Sequence, residues 1–217
     1  MNGFDVIDAE QWKRKALFRF YETYDDPTWD ILADVRISRF YDMTRREGSS
    51  FFLAFLHAAA SVCNGIEEFR LRIGPAGEVR RYPVVHPGST VLHDDGTFGF
   101  AYFPYKERFS EWLPDARATL EAAKRESGID PREEDLARLY FTPVPWINFR
   151  GFRHPQRRGH RQSIPMIIFG KHVEAAGERT MPVGLTLHHG LADGYHAGLF
   201  FSRLQALLDD PDAHFAG

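Results

Sequence analysis

Four stretches of the chain have hydrophobic residues at helical spacing. In the first, residues 8–21, an acidic residue that can cap a helix is followed by Trp12, Ala16 and Phe20 at four-residue intervals, which predicts a short helix. The other three predicted helices are residues 50–64, 113–126 and 195–208. The second predicted helix is apolar on nearly every side and is followed by Gly65, so we expect it to be buried and to end there.

Short runs rich in β-branched and aromatic residues lie between these helices, and several are bounded by glycine or proline, as strands often are. The predicted strands are residues 89–92, 97–103, 138–141, 146–149, 166–169 and 182–188. Helices that alternate with unevenly spaced strands predict an α/β protein with a mixed β-sheet flanked by helices. At 217 residues, the chain is expected to form a single domain, residues 1–217.

Composition excludes several classes of protein. A hydrophobic content of 43%, with 19 Phe, is too high for a disordered chain, and a net charge of −3 gives no general reason to expect nucleic-acid binding. The lone Cys63 excludes an internal disulfide and a multi-cysteine zinc site. The longest apolar run, residues 51–63, is shorter than the ~20 residues that cross a bilayer. We therefore expect a soluble, cytoplasmic protein with neither a membrane nor a nucleic acid as partner.

One segment, residues 185–198 (LTLHHGLADGYHAG), concentrates residues suited to catalysis. A predicted strand ends in the pair His188 and His189, and Asp193 follows in a glycine-bearing loop. A neutral imidazole suits a general base because its ordinary pKa lies near neutral pH. We interpret His189 as a candidate general base and Asp193 as part of its support.

Two other interpretations of this segment remain open. His189, Asp193 and His196 fall at positions i, i+4 and i+7, which on one helix would form a metal-binding face of two histidines and a carboxylate. Gly190 and Gly194 argue against a continuous helix, and no metal is expected. The alternative is that the histidines are structural. That interpretation is preferred for His57, His86, His93 and His214.

Five motifs resemble the chloramphenicol acetyltransferase family, in the family's order and over nearly all of the chain. HHGLADGYH resembles the signature HHAVCDGFH, and DAEQWKRKALFRFY is similar to the N-terminal W-x-R-x-x-x-F segment. SSFFLAFLHAAASVCNGIEEFRLRI resembles an F-Y-P-A-F-I-H helix followed by E-F-R. VVHPGSTVLHDDGTF and PVPWINF resemble V-H-P-x-x-T-V-F-H-x-x-T-E-T-F and P-W-V-x-F. The resemblance implies the CoA-dependent acyltransferase fold and a homotrimer with active sites at subunit interfaces.

The resemblance also implies a chemistry and roles for four residues. Acetyl would pass directly from acetyl-CoA to an acceptor hydroxyl, with chloramphenicol as the default acceptor and antibiotic inactivation as the outcome. His189 matches the general base, and Thr142 matches a serine whose hydroxyl stabilises the oxyanion. Asp193 and Arg14 match an ion pair that braces the loop carrying the histidine.

Other matched positions divide between the two substrates. The acceptor is expected to contact Tyr21, Asp25, Trp29, Tyr140 and His154. Acetyl-CoA is expected to contact Trp146, Lys171 and His172. Asp25 stands where the family has a leucine and Pro27 where it has a cysteine, so a more polar hydroxyl acceptor is an alternative.

Two further features depart from the family. Residues 150–161 carry five arginines, which are suited either to an anionic ligand or to solvent. On the CoA side, Ser50 replaces a basic residue and Ile168 replaces a threonine. Besides an acetyltransferase, the sequence therefore leaves open a non-catalytic trimer that binds a ligand, and a metal-dependent enzyme.

Overall fold

The computed structural model describes residues 3–126, 128–132, 134–155 and 162–215. Its strands are β1 (Asp5–Val6), β2 (Thr28–Arg36), β3 (Leu71–Ile73), β4 (Val79–Arg81), β5 (His86–Leu92), β6 (Phe98–Tyr102), β7 (Arg138–Val144), β8 (Met166–Gly170), β9 (Val173–Ala175) and β10 (Glu178–His188). Its helices are α1 (Lys15–Tyr21), α2 (Ser38–Arg46), α3 (Phe51–Asn64), α4 (Phe109–Arg125), α5 (Gly194–Asp209) and α6 (Asp212–Phe215). A short 3₁₀ helix, Glu67–Arg70, follows α3.

A mixed sheet with the strand order β2-β10-β8-β7-β5-β6 forms the centre of the molecule, with β9 paired to β10. Strand β7 runs parallel to both β5 and β8, and the other neighbours on this path pair antiparallel. Strands β1, β4 and β3 form a small second sheet. The predicted mixed α/β architecture is confirmed.

Alternation along β10 sorts its side chains between two faces of the sheet. Val183, Leu185 and Leu187 belong to the main hydrophobic core, together with nine buried residues of α3 and four buried hydrophobic residues of α5. Thr186 and His188 point to the opposite face. The candidate site described below includes residues of that opposite face and of the loop that follows β10.

The two most strongly patterned helices agree with prediction. Helix α3 begins where the Ser50 hydroxyl accepts a hydrogen bond from Leu53 N (3.4 Å), and it ends at Gly65. Helix α5 covers the predicted residues 195–208 with one more residue at each end. Helix α4 begins four residues before the predicted position because Phe109 and Trp112 are buried in the core.

The first predicted helix was wrong in its start and its buried face. Residues 9–14 form turns, and α1 begins only at Lys15. Phe18 is buried, whereas Phe20 is 55% exposed. Trp12 packs on Phe18 from a turn, with ring centroids 5.6 Å apart. The four-residue spacing from Trp12 to Phe20 therefore did not mark one face of a helix.

The predicted strand at residues 146–149 was also wrong. Ile147 N donates to Val144 O (3.3 Å), so the chain turns immediately after β7. Trp146 and Ile147 are 65% and 56% exposed. Their apolar side chains therefore look strand-like in sequence without belonging to the sheet.

Candidate active site

His189 is the first residue beyond β10. That strand pairs with β2 as far as His188 opposite Thr28, and His189 N then donates to Pro27 O (2.8 Å). The His189 ring stacks on Tyr21 with centroids 4.2 Å apart and planes 10° apart, and its centroid lies 5.2 Å from that of Trp29. Two aromatic rings from different elements therefore fix the plane of the imidazole.

One nitrogen of His189 is enclosed by protein. Its Nδ1 atom is buried and makes no hydrogen bond within the described part of the chain. The ring as a whole remains partly exposed. The nitrogen left to meet a ligand is Nε2.

The turn after His189 leaves little space for a side chain at Gly190. A Cβ on Gly190 would lie 3.1 Å from His188 Cε1 and 3.2 Å from Phe18 Cα. Gly190 N donates to His188 Nδ1 (3.2 Å), and Leu191 N donates to His188 O (2.9 Å). The buried first histidine of the pair therefore holds the turn that presents the second.

Asp193 caps α5 and binds Arg14. Its Oδ1 accepts from Tyr195 N (3.1 Å) and lies 2.8 Å from His196 Nδ1, while Arg14 Nη1 donates to Oδ2 (2.8 Å). Desolvation raises the pKa of Asp193, but Arg14 and His196 outweigh it and lower the pKa to about 2. Arg14 is only 7% exposed. The ion pair thus ties the start of α1, which carries Tyr21, to the loop that follows His189.

The metal hypothesis finds no support in this geometry. His196 Nε2 lies 3.2 Å from Glu68 Oε1, so both ring nitrogens of His196 face carboxylates. Among the described residues, no three His, Cys, Asp or Glu side chains are arranged to hold a metal ion. His189 is instead held between rings.

A cavity of about 830 Å³, the lysine cavity, contains all three residues that were expected to bind acetyl-CoA. Trp146, Lys171 and His172 line it, together with Ser50 and Lys124. Asn148 Nδ2 donates to Lys171 O (2.9 Å), which ties the strand end of β8 to the turn after β7. The two lysines give the lining of this cavity positive charge.

A second cavity of about 460 Å³, the histidine cavity, contains two of the residues that were expected to bind the acceptor, Tyr140 and His154. Much of its remaining lining is aromatic: Phe98, Phe100, Tyr102, Phe141 and Phe152. Thr142 lines both cavities. A hydroxyl therefore stands on the wall that the two cavities share.

A chain of hydrogen bonds runs from Thr142 to the edge strand of the sheet. Thr142 Oγ1 lies 3.2 Å from His154 Nε2, and His154 Nδ1 lies 3.3 Å from Thr186 Oγ1. The Thr186 hydroxyl donates to Asp30 Oδ1. Burial lowers the pKa of His154 to about 4, against a smaller opposite effect of the Asp30 charge. The imidazole is therefore neutral at pH 7.

Sequence reasoning missed Thr186 and Asp30 as members of the site. The available signal was register, because the two residues lie opposite each other in the β2–β10 pair and so share a face. The sequence alone did not reveal β2, so this pairing could not be predicted.

Within one chain, Thr142 and His189 lie far apart. Thr142 is aligned with Ile168, Ile168 is aligned with Gly184, and His189 follows Gly184 by five residues along the chain. Strand spacing and rise per residue then separate Thr142 from His189 by roughly 19 Å. None of His189, Tyr21 and Trp29 is among the described residues lining the two cavities. The predicted site residues thus form two groups in one chain.

Asp25, Arg150 and Arg153 line neither cavity. Asp25 is exposed. Arg153 donates to Asp26 Oδ2 (2.6 Å), and Arg150 lies 3.7 Å from Asp34 Oδ1, so these two arginines pair with acids of their own chain. The other members of the basic cluster, Arg157, Arg158, His160 and Arg161, lie outside the described residues.

Four further histidines have structural partners. His57 Nε2 lies 3.0 Å from Lys106 O, and its Nδ1 lies 3.2 Å from His214 Nε2. His86 Nδ1 accepts from Tyr105 N (2.9 Å), and His93 Nδ1 lies 3.1 Å from the Thr97 hydroxyl. These contacts agree with the structural interpretation.

No helix in the described ranges is both long and apolar enough to cross a bilayer.

Comparison with known proteins gives one consistent family. The family model described as chloramphenicol acetyltransferase matches residues 1–205. The chloramphenicol acetyltransferase of Streptomyces acrimycini is 30% identical over 207 residues, which are 94% of each chain. That of Staphylococcus aureus is 29% identical over 214 residues, 97% of this chain and 98% of its own.

Solved structures agree with these matches. A chloramphenicol acetyltransferase superposes with a TM-score of 0.89 at 28% identity, covering 95% of this chain and 100% of its own. The dihydrolipoamide acetyltransferase of Azotobacter vinelandii has a TM-score of 0.63 at 17% identity, over 98% of this chain and 93% of its own. The second likeness shows a shared fold alone.

Proposed function

Because the chain belongs to the chloramphenicol acetyltransferase family, we propose that it transfers acetyl from acetyl-CoA to the hydroxyl of a small molecule. The chain is an acyltransferase, and its family implies an acyl-CoA co-substrate. The observation that carries this proposal is the position of Thr142 on the shared wall of two cavities. A hydroxyl there can meet the thioester carbonyl at the point where acceptor and co-substrate come together.

The proposed complete site contains residues of two copies of the chain. The roughly 19 Å between Thr142 and His189 in one copy is too long for a base and an oxyanion donor to act on one reaction centre. Exposed aromatic side chains lie beside both groups, Phe20 next to Tyr21 and Trp146 next to the lysine cavity. Contact between copies would cover them. We propose a homotrimer in which His189 of one copy faces Thr142 of its neighbour.

In the proposed reaction, His189 Nε2 accepts the proton of the acceptor hydroxyl while that oxygen attacks the thioester carbonyl. The Thr142 hydroxyl donates a hydrogen bond to the resulting oxyanion. Collapse of the tetrahedral intermediate breaks the carbon–sulfur bond, and the imidazolium returns its proton to the sulfur of CoA. Tyr21 and Trp29 hold the ring plane of His189, and the Arg14–Asp193 pair holds its loop.

Each substrate is assigned a cavity. Lys171 and Lys124 supply charge for the phosphates of acetyl-CoA in the lysine cavity. The aromatic lining of the histidine cavity suits chloramphenicol, the default acceptor in this family. A more polar hydroxyl acceptor is the second candidate, and the observation that favours it is the presence of Thr90 and Gln162 in the lining of that cavity.

The test is acceptor-dependent release of CoA thiol from acetyl-CoA, measured with chloramphenicol and with a panel of other hydroxylated compounds. We expect turnover with at least one acceptor, and a loss of about 10²–10⁴-fold in His189→Ala with the fold retained. Turnover that persists in His189→Ala would contradict the mechanism. Ligand binding without thiol release would favour the non-catalytic alternative.

A further inference from the structure

Thr142 carries a second substituent that competes with its hydroxyl for the proposed reaction centre. Threonine has a methyl and a hydroxyl on Cβ, and rotation about χ1 exchanges their positions. Only the rotamer with Oγ1 toward the shared wall provides a hydrogen-bond donor there. Some interaction must therefore select that rotamer if Thr142 acts on the oxyanion.

We propose that His154 is a positioning residue for Thr142, holding its hydroxyl at the junction of the two cavities through Nε2. This inference rests on the proposed role of Thr142 and goes beyond it, because it names what orients that hydroxyl. His154 is 8% exposed, and its ring lies edge-on to Phe152 with centroids 4.6 Å apart. The ring is therefore confined, as a positioning group must be.

The direction of each hydrogen bond in the series from Thr142 to Asp30 follows from the Asp30 end. The Asp30 carboxylate can only accept, so the single proton of the Thr186 hydroxyl goes to Asp30. Thr186 Oγ1 must then accept from His154 Nδ1, which places the proton of the neutral ring on that nitrogen. His154 Nε2 is left with a lone pair and accepts from the Thr142 hydroxyl. Asp30 and Thr186 thus make Nε2 of His154 a fixed hydrogen-bond acceptor.

A neutral acceptor is suited to this role. Its hydrogen bond to Thr142 is strong enough to favour one rotamer about fivefold. A hydrogen bond to a charged oxyanion is roughly twice as strong, so the proton of Thr142 can be shared between Nε2 and the oxyanion in a three-centre hydrogen bond, and the contact that orients the hydroxyl is kept. A carboxylate in the place of His154 would keep that proton. We therefore expect His154 to fix the Thr142 oxygen without retaining its proton.

Two amide substitutions separate this role from a purely structural one. Glutamine places its terminal amide near the position of Nε2, facing Thr142, whereas asparagine places its amide near Nδ1, facing Thr186. The measurements are kcat and the KM for acetyl-CoA in His154→Gln, His154→Asn and His154→Leu, with thermal unfolding of each variant. The matched control is His93→Gln, because His93 is 5% exposed, pairs with the Thr97 hydroxyl and is not among the described residues lining either cavity.

We expect His154→Leu to lower kcat about tenfold with an unchanged KM for acetyl-CoA. His154→Gln should retain most of kcat, His154→Asn should resemble His154→Leu, and His93→Gln should retain full activity. If asparagine restores kcat as well as or better than glutamine, the proposal is wrong, because Thr186 would then be the partner that matters.

A second comparison tests whether His154 acts through Thr142. In a Thr142→Val background, His154→Leu should lower kcat less than twofold further, since the hydroxyl is already gone. An equal fold-loss in both backgrounds would overturn the positioning role and assign His154 to the acceptor directly. Thr142→Val alone should cost about 10²–10³ in rate. Full activity in that single variant would instead overturn the proposed oxyanion role itself, and the positioning role with it.

Discussion

Arg14 Nη1 lies 2.8 Å from Asp193 Oδ2, and this ion pair joins the start of α1 to the N-terminus of α5. Both of the elements that this ion pair joins help to hold the His189 ring. Tyr21, at the end of α1, stacks on the ring, and Asp193 ends the loop that follows it. The orientation of the proposed base therefore depends on a pair of residues 179 positions apart in sequence.

Asp193→Asn should destabilise the protein strongly. The substitution leaves the buried Arg14 guanidinium without its charged partner. Because the Asp193 side chain is 28% exposed, the cost should be about 2–3 kcal/mol, less than the ~3–5 kcal/mol of a fully buried pair. The measurement is the free energy of unfolding in urea. The control is Arg19→Ala, which breaks the exposed Arg19–Glu10 pair and should change the free energy of unfolding far less. Equal effects of the two substitutions would show that the buried pair does not brace the loop.

Tyr21→Ala should lower kcat by about three- to tenfold, because it removes the ring that stacks on His189. Tyr21→Phe keeps the ring and should retain nearly full kcat. Steady-state kinetics with a turned-over acceptor measure both effects. A loss in Tyr21→Phe as large as that in Tyr21→Ala would assign the role to the phenolic hydroxyl rather than to the stack.

Stability should fall as the pH is lowered from 6.5 to 4. Burial lowers the pKa of both His57 and His154 from 6.5 to about 4. Between pH 4 and 6.5 these histidines bind protons in the unfolded chain but not in the folded chain. Their contribution to the stability of the fold is therefore complete above pH 6.5 and declines toward pH 4. Each histidine should contribute a loss of about 1–3 kcal/mol. The measurement is the thermal midpoint against pH.

His57→Gln provides the control for that pH dependence. It removes one titrating group that lines neither cavity, and the decline of the midpoint between pH 6.5 and 4 should become shallower. A midpoint that stays constant over this range in the original protein would contradict the assignment of neutral buried histidines.

The helices and strands with the clearest hydrophobic patterns and end signals were predicted from the sequence, and those with weaker patterns were missed. Helix α3 was predicted because its buried sequence is bounded by Ser50 and Gly65, which cap and end it. Strand β2 was missed because it is an edge strand whose outward positions include Asp30 and Asp34, so its composition looks polar. Helix α2 was missed because it buries only Phe40, Met43 and Thr44.

Sequence motifs predicted part of the candidate site, and the remaining residues were found only from the pairing of the strands. The HHGLADGYH segment pointed to His189 and Asp193, and PVPWINF pointed to Thr142. The connection from Thr142 to Asp30 could not be predicted, because it crosses several strands whose pairing the sequence does not reveal. The separation of Thr142 from His189 likewise depends on the order of the strands.

The central claim is that Thr142 of one copy and His189 of another complete each site, and mixing two inactive variants tests it most directly. His189→Ala and Thr142→Val are each purified alone as references, and the two variants are also co-expressed in equal amounts so that mixed copies of the proposed homotrimer form at random. About a quarter of the sites should then combine an intact Thr142 with an intact His189, and turnover should recover to about a quarter of the original value. Turnover no higher than the mean of the two separate variants would contradict a site shared between copies.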